Sequence, residues 1–247
     1  MTNEMQQNVG MEERKMTTIN GFLMLFVALA LLAAAAASFF MIGGGAGIAL
    51  CVVLFIVDCF VLGGFAVIRP NEAMVLTLFG KYSGTIKGEG FYWYNPFCSP
   101  VRYGKSSKIS LKAMTLESGQ QKINDELGNP VMIGIVVIWR VTNTAKAVFD
   151  VDDYEDYLAT QSDAALRSIV RQYPYDGFNN DAEKSLQGSS QEVADRLKEE
   201  IQSKVHIAGL EILEARITHL AYAPEIASAM LQRQQASAII DARKMIV

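Results

Sequence analysis

The sequence predicts an α+β chain: an N-terminal transmembrane helical hairpin, a body of two α/β subdomains, and the start of a long C-terminal helix. Three observations carry this reading. Two long apolar runs, with Asp58 their one charged residue, lie close together near the N-terminus. Strand-like alternation and glycine-marked turns follow them, and helical spacing comes after. The last stretch keeps good helix formers to the final residue. The expected divisions are a tail over 1–20, the hairpin over 21–68, the folded body over 69–223 and the helix over 224–247.

The first run, Gly21 to Ile42, carries no charge and no proline. As a helix it is roughly 30 Å long, the thickness of a hydrocarbon core. Gly43, Gly44 and Gly45 follow, a poor helix interior and a good tight turn. The second run, Ala46 to Ile68, is interrupted only by Asp58, and Arg69-Pro70 ends it. Two full-length runs favour a spanning hairpin over a shallow re-entrant one, and a hairpin puts the tail and the body on one side of a membrane. Arg14 and Lys15 precede the pair, and Arg69, Lys81 and Lys87 follow it, while the turn has no basic residue. The positive-inside rule then places both termini in the cytoplasm of a multi-pass cell-membrane protein. For Asp58, the intramembrane polar residue, two readings stay open: a carboxyl neutralised or hydrogen-bonded within the helix pair or to a neighbouring subunit, and a proton or ion relay.

Beyond Asn71, Met74 to Phe79 reads as a short strand, and Gly80, Gly84, Gly88 and Gly90 mark hairpin turns. The stretch Phe91-Tyr92-Trp93-Tyr94-Asn95-Pro96-Phe97 holds five aromatics in seven residues. Amphipathic rings favour the headgroup zone, so Phe91, Tyr92, Trp93, Tyr94 and Phe97 are candidate membrane-interface residues. An ordinary core strand is the other reading. Ile109, Leu111 and Ala113 alternate with Lys108, Ser110 and Lys112, predicting a half-buried strand over 108–115. Val131 to Val141 is nearly all apolar and predicts a central strand buried on both faces.

Asp152-Asp153 can cap a helix reaching about Tyr173, with Tyr154, Tyr157, Leu158, Ala165 and Ile169 on one face. Pro174 to Ser190 reads as a loop, and Ser190 as the cap of a second helix ended by Gly209. Val193, Leu197, Ile201 and Val205 recur at intervals of four in it. Leu213, Ala215 and Ile217 alternate with Glu214, Arg216 and Thr218 as a strand. Pro224 opens the last helix, which the pattern expects to continue past residue 247. Its small residues permit close packing between subunits, a solvated terminal helix being the other reading, and Ile226, Met230, Ser237 and Ile240 are the candidate oligomerisation positions.

Composition excludes several chemistries. A net charge of −4 gives no field to gather nucleic acid. Cys51, Cys59 and Cys98 form no metal-spaced group, and His206 and His219 are the only histidines. Cys98 has no base nearby in sequence, and DVDDYED (Asp150 to Asp156) lacks the spacing and glycine of a calcium loop. No catalytic, cofactor-binding or metal residue is predicted. Arg140, Arg167 and Arg216 are candidates for ion pairs between subunits.

PNEAMVLTLFGKYSGTIKGEGFYWYNPF (Pro70 to Phe97), VVIWRV (Val136 to Val141), SDAALRSIV (Ser162 to Val170) and ARITHLAYAPEIASAMLQRQQASAIIDAR (Ala215 to Arg243) occur in this order behind the apolar runs. In that order they resemble the SPFH/band 7 family of stomatin-, prohibitin- and flotillin-like proteins. The two-helix anchor is similar to a bacterial slipin-like branch and departs from members with one transmembrane helix, including bacterial regulators of the FtsH protease. The resemblance implies a non-enzymatic, laterally self-associating scaffold, in some members a ring or cage, that organises membrane microdomains or protein complexes. The alternative it implies is a dedicated regulator of a membrane protease or transporter. The implied partners are further copies of the chain, membrane lipids and such a client protein.

Overall fold

The computed structural model describes residues 11–41, 44–104, 106–176 and 185–246, with side chains of Gln234, Ser237, Ala238 and residues 240–247 outside that set. The chain divides into two compact units, one of residues 1–112 with 143–150, the other of residues 113–142 with 151–247.

In the first unit, β1 (Ile19–Asn20) leads into α1 (Gly21–Met41), and α2 (Gly44–Leu62) leads into β2 (Phe65–Ile68). Asn20 caps α1, its Oδ1 accepting from the Phe22 amide at 2.9 Å. The second apolar run predicts one helix to Ile68, but the helix stops at Leu62. Gly63-Gly64 breaks it, and the last apolar residues pair as a strand. The expected three-glycine turn also differs: Gly44 and Gly45 open α2, and residues 42–43 lie outside the described set. Large side chains of both helices, Phe26, Phe40 and Phe55 among them, face outward, while Gly21, Ala28, Ala35 and Ser38 are the buried residues of α1. Small residues one heptad apart let two helices approach closely where no water drives them together.

The strands β3 (Glu72–Leu78), β4 (Lys81–Lys87), β5 (Gly90–Trp93), β6 (Cys98–Pro100) and β7 (Ile109–Ser110) follow. One sheet has the order β4-β3-β6, with β7 also on β3, and a second has the order β1-β5-β2. Ala66, Ile68, Met74, Leu76, Ile86, Tyr94 and Cys98 form the core between them. The N-terminal segment is part of this unit. Thr85 donates its amide to the Arg14 carbonyl at 2.8 Å and accepts from the Met16 amide at 3.0 Å. Glu13 accepts from Thr144 and pairs with Lys87. Gly84 permits this approach, because a β-carbon there would lie 2.9 Å from Met16 Cα. The short helix α3 (Thr144–Phe149) completes the unit, capped by Asn143.

The second unit is built on the antiparallel sheet β10-β9-β8, from β8 (Met114–Asn124), β9 (Pro130–Val141) and β10 (Leu210–Tyr222). The strand expected over 108–115 is displaced. Only Ile109–Ser110 pairs there, Ala113 is exposed, and the long strand begins at Met114. β9 is central but not buried on both faces. Val131, Ile133, Ile135, Val137 and Trp139 are buried, whereas Met132, Val136 and Ile138 are half-buried and Arg140 is exposed. The apolar run reflects a central position, and its second face is only half-buried among the described residues.

On the buried face lie α4 (Tyr154–Val170) and α5 (Ser190–Val205). Asp153 caps α4, accepting from the Glu155 and Asp156 amides at 2.8 and 3.1 Å. The residue preceding α5 is Ser189, one position earlier than expected, and its side chain makes no cap bond. Val193, Leu197, Ile201 and Val205 are all buried, each worth about 1.5–3 kcal/mol relative to exposure. Gly209, at φ 65°, ends the 3₁₀ turn His206–Ala208 in the left-handed region. The expected loop after Pro174 includes residues 177–184, which lie outside the described set. The helix α6 (Pro224–Ile246) follows β10.

The arginines expected between subunits have partners within the chain. Arg140 pairs with Glu211 at 2.7 Å, Arg216 pairs with Glu214, and Arg167 donates to Gln121 Oε1 at 3.3 Å.

A tyrosine cluster gives this unit a defined alkaline response. The Tyr175 and Tyr222 rings lie 4.0 Å apart, and Tyr222 donates to Asp176 Oδ1 at 3.1 Å. Burial, then the Asp176 charge, pushes both phenols up, and Tyr222 further by its bond to that carboxylate. The folded chain therefore holds these protons more tightly than the unfolded chain, whose tyrosines titrate near about 10. The associated stability is intact below that pH and lost as pH climbs through the folded values. Denaturant midpoints should fall above pH ~10, and Tyr222→Phe should make the fall shallower. An unchanged slope in the variant would refute this assignment.

Candidate membrane interface

The end of the hairpin opposite its turn is closed by one short strand. β5 pairs antiparallel with β1 on one side, Ile19 opposite Trp93, and with β2 on the other, Phe65 opposite Trp93. The entry to α1 and the exit from α2 are thereby held on the two sides of one strand. Trp93 Nε1 donates to the Val61 carbonyl at 2.8 Å, a terminal helix acceptor that also receives the Gly64 amide at 3.2 Å. The Tyr94 amide donates to the Gly64 carbonyl at 2.9 Å. Gly21 and Gly64 permit the contact: a β-carbon on Gly21 would lie 2.5 Å from Phe91 Cδ1, and one on Gly64 would lie 2.3 Å from the Tyr94 carbonyl oxygen.

Strand alternation splits the five aromatic candidates. Phe91 stacks on Phe65 at 5.2 Å and meets Phe22 edge-on at 5.4 Å, so it and Trp93 sit against the hairpin. Tyr92 and Tyr94 turn the other way. Tyr94 is buried in the core, where burial and then the neighbouring Cys98 push its phenol up. Tyr92 packs on that core and donates to the Glu89 carbonyl at 3.1 Å. Phe97 is exposed and continues a row of rings, with Phe60 at 5.9 Å and Phe79 at 6.4 Å. The aromatic-rich sequence pointed to Phe91–Phe97; it did not point to Phe22, Phe60, Phe65 or Phe79, which pairing and turn geometry bring there.

The other candidates are placed as follows. Asp58 is buried in the hairpin, 2% exposed, and its Oδ1 has no hydrogen-bond partner among the described residues. Ile226 and Met230 are half-buried on α6, while the side chains of Ser237 and Ile240 lie outside the described set. His206 is exposed and His219 half-buried. Cys98 is buried, Cys51 half-buried and Cys59 exposed. A cleft of about 670 Å³ between α5 and β10 is lined by Asp195, Lys198, Glu214 and Arg216, with no histidine or cysteine in its lining.

Comparison with known proteins gives one family and a set of relatives. The profile of the SPFH domain / Band 7 family matches residues 66–245. "Modulator of FtsH protease HflK" of Escherichia coli (strain K12) is 31% identical over 121 residues, 49% of this chain and 27% of that protein. "Protein HflK" of Buchnera aphidicola subsp. Schizaphis graminum is 31% identical over 118 residues, 48% of this chain and 27% of that protein. An uncharacterised protein of Archaeoglobus fulgidus is 26% identical over 132 residues, 53% of this chain and 51% of its own length. The matched region thus spans about a quarter of the length of the HflK relatives.

Proposed function

Because the chain belongs to the SPFH domain / Band 7 family, we propose that it is a non-enzymatic membrane scaffold whose copies associate side by side and organise a patch of membrane or a membrane protein complex. The observation that carries this reading is the closed base of the hairpin. The helices α1 and α2 are long and apolar enough to cross a bilayer, and β5 ties both of their ends to the folded body. A body held that way cannot tumble freely above the membrane, and copies confined to a surface meet edge to edge. Leu231 and Ile239, both exposed on α6, are apolar surface that supports that helix as a packing element between copies. The basic residues Arg14, Lys15, Arg69, Lys81 and Lys87 support a cytoplasmic placement of both termini.

One observation favours a second reading. The E. coli relative is named a modulator of a membrane protease, so a bound protease is the client that resemblance suggests.

Native mass measurement on the full chain, extracted with its lipids, tests the scaffold. Large assemblies are expected, and deletion of residues 224–247 should reduce them to small species that stay membrane-bound. A full-length monomer under those conditions would sink the reading, and a stoichiometric protease with no self-association would favour the second.

A further inference from the structure

The turn between β3 and β4 has two residues, Phe79 and Gly80, with Leu78 and Lys81 paired across it. Both turn residues have positive φ, 48° and 83°. Two consecutive left-handed residues define a type I′ hairpin turn, whose first position favours Asn, Asp or Gly. A phenylalanine there is strained, because its β-carbon crowds the backbone. Nothing inside the chain offsets that strain by burying the ring: Phe79 is 85% exposed, the most exposed large apolar side chain outside α1 and α2 among the described residues.

Its surroundings indicate where the ring belongs. Phe79 lies 6.4 Å from Phe97, and Phe97 lies 5.9 Å from Phe60. Phe60 stands in the last turn of α2, where that helix leaves the lipid. The three rings are exposed and form one row leading away from the helix end. Lys81, also exposed, flanks the turn with a positive charge.

We propose that the β3–β4 turn is a third membrane contact of the chain, in which Phe79 inserts among the lipid headgroups and upper acyl chains beside the hairpin. The proposal rests on the membrane-anchored reading above and extends it. The bilayer is the occupant because the row begins on a helix already in lipid. An aromatic ring gains by leaving water for the interfacial zone, and a cation beside it faces lipid phosphates. The hairpin fixes the chain in the membrane, and the Phe79 wedge fixes the tilt of the first unit against it.

The test uses the full chain in phosphatidylcholine–phosphatidylglycerol vesicles. Phe79→Trp adds one emitter to the native Trp93 and Trp139. Most of the added emission should be quenched by lipids brominated on the acyl chain, and little of it by aqueous iodide. Quenching by iodide instead would overturn the proposal, and so would quenching by neither, which would mean that another protein surface covers the ring. Phe79→Asn suits the turn. Its thermal midpoint should not fall, while amide exchange at residues 78–81 in vesicles should rise several-fold. A lowered midpoint would mean that the ring serves the fold, which also overturns the proposal. Vesicle sedimentation separates the two levels: a chain left in the supernatant sinks both readings, and an anchored chain with residue 79 in water sinks only this one.

Discussion

Replacing Gly64 with valine should destabilise the first unit by about 3 kcal/mol, the upper end of overpacking costs. The β-carbon alone would sit 2.3 Å from the Tyr94 carbonyl oxygen and 2.7 Å from Trp93 Nε1. Neither neighbour can yield cheaply. The first is backbone, and the second is fixed by its bond to the Val61 carbonyl. Relief requires β2 to move off β5, which threatens both that bond and the one from the Tyr94 amide to Gly64, each worth about 1 kcal/mol. Gly63→Ala is the control, because its β-carbon would lie 3.4 Å from the Phe60 carbonyl oxygen, a tolerable approach. Thermal unfolding in detergent, with Trp93 emission as a local probe, reads both variants. Equal midpoints for the two would remove the argument that Gly64 is required by close approach.

Leu197→Ala should cost the second unit about 2–5 kcal/mol. Leu197 is fully buried on α5, at the centre of the Val193, Leu197, Ile201 and Val205 row. Truncation removes its apolar contacts and leaves a cavity that the sheet and α4 fill only in part. Conservative Leu197→Met should cost less than about 1.5 kcal/mol, since volume is kept. Denaturant titration distinguishes them. A truncation as mild as the methionine variant would mean that α5 adjusts freely, against the tight packing described.

Some of this architecture is legible in the residues, and some is not. The start of α4 follows from Asp153, and the stop after α5 and its 3₁₀ turn from Gly209, because caps and left-handed stops are local chemistry. β9 is legible as a central strand, since a central position concentrates Val and Ile. β8 is not. Its sequence MTLESGQQKIN has one exposed face and a register shift between Ser118 and Gln121, so little hydrophobic periodicity survives. Phe65–Ile68 was hidden for the opposite reason. Its residues are as apolar as the helix before it, and hydropathy does not distinguish strand from helix without weighing Gly63-Gly64. The pairing of residues 14–16 with Thr85 is set by contacts distant in sequence. At the candidate interface, aromatic composition located β5, but strand alternation decided which rings face the hairpin. Phe79 carries almost no compositional signal. Its evidence is a backbone angle.

The strand that closes the hairpin comes after both helices in the chain. As the protein emerges from the ribosome, α1 and α2 have left the exit tunnel before Gly90–Trp93 is available to pair with Ile19–Asn20 and Phe65–Ile68. Closure therefore waits on that strand, and until translation supplies the latch the helix pair holds its register through its own buried residues, Gly21, Ala28 and Ala35 on α1 and Gly47 and Asp58 on α2. A nascent chain arrested before residue 90 would be a loose pair of spans, and the step from loose to fixed falls at a defined point in synthesis.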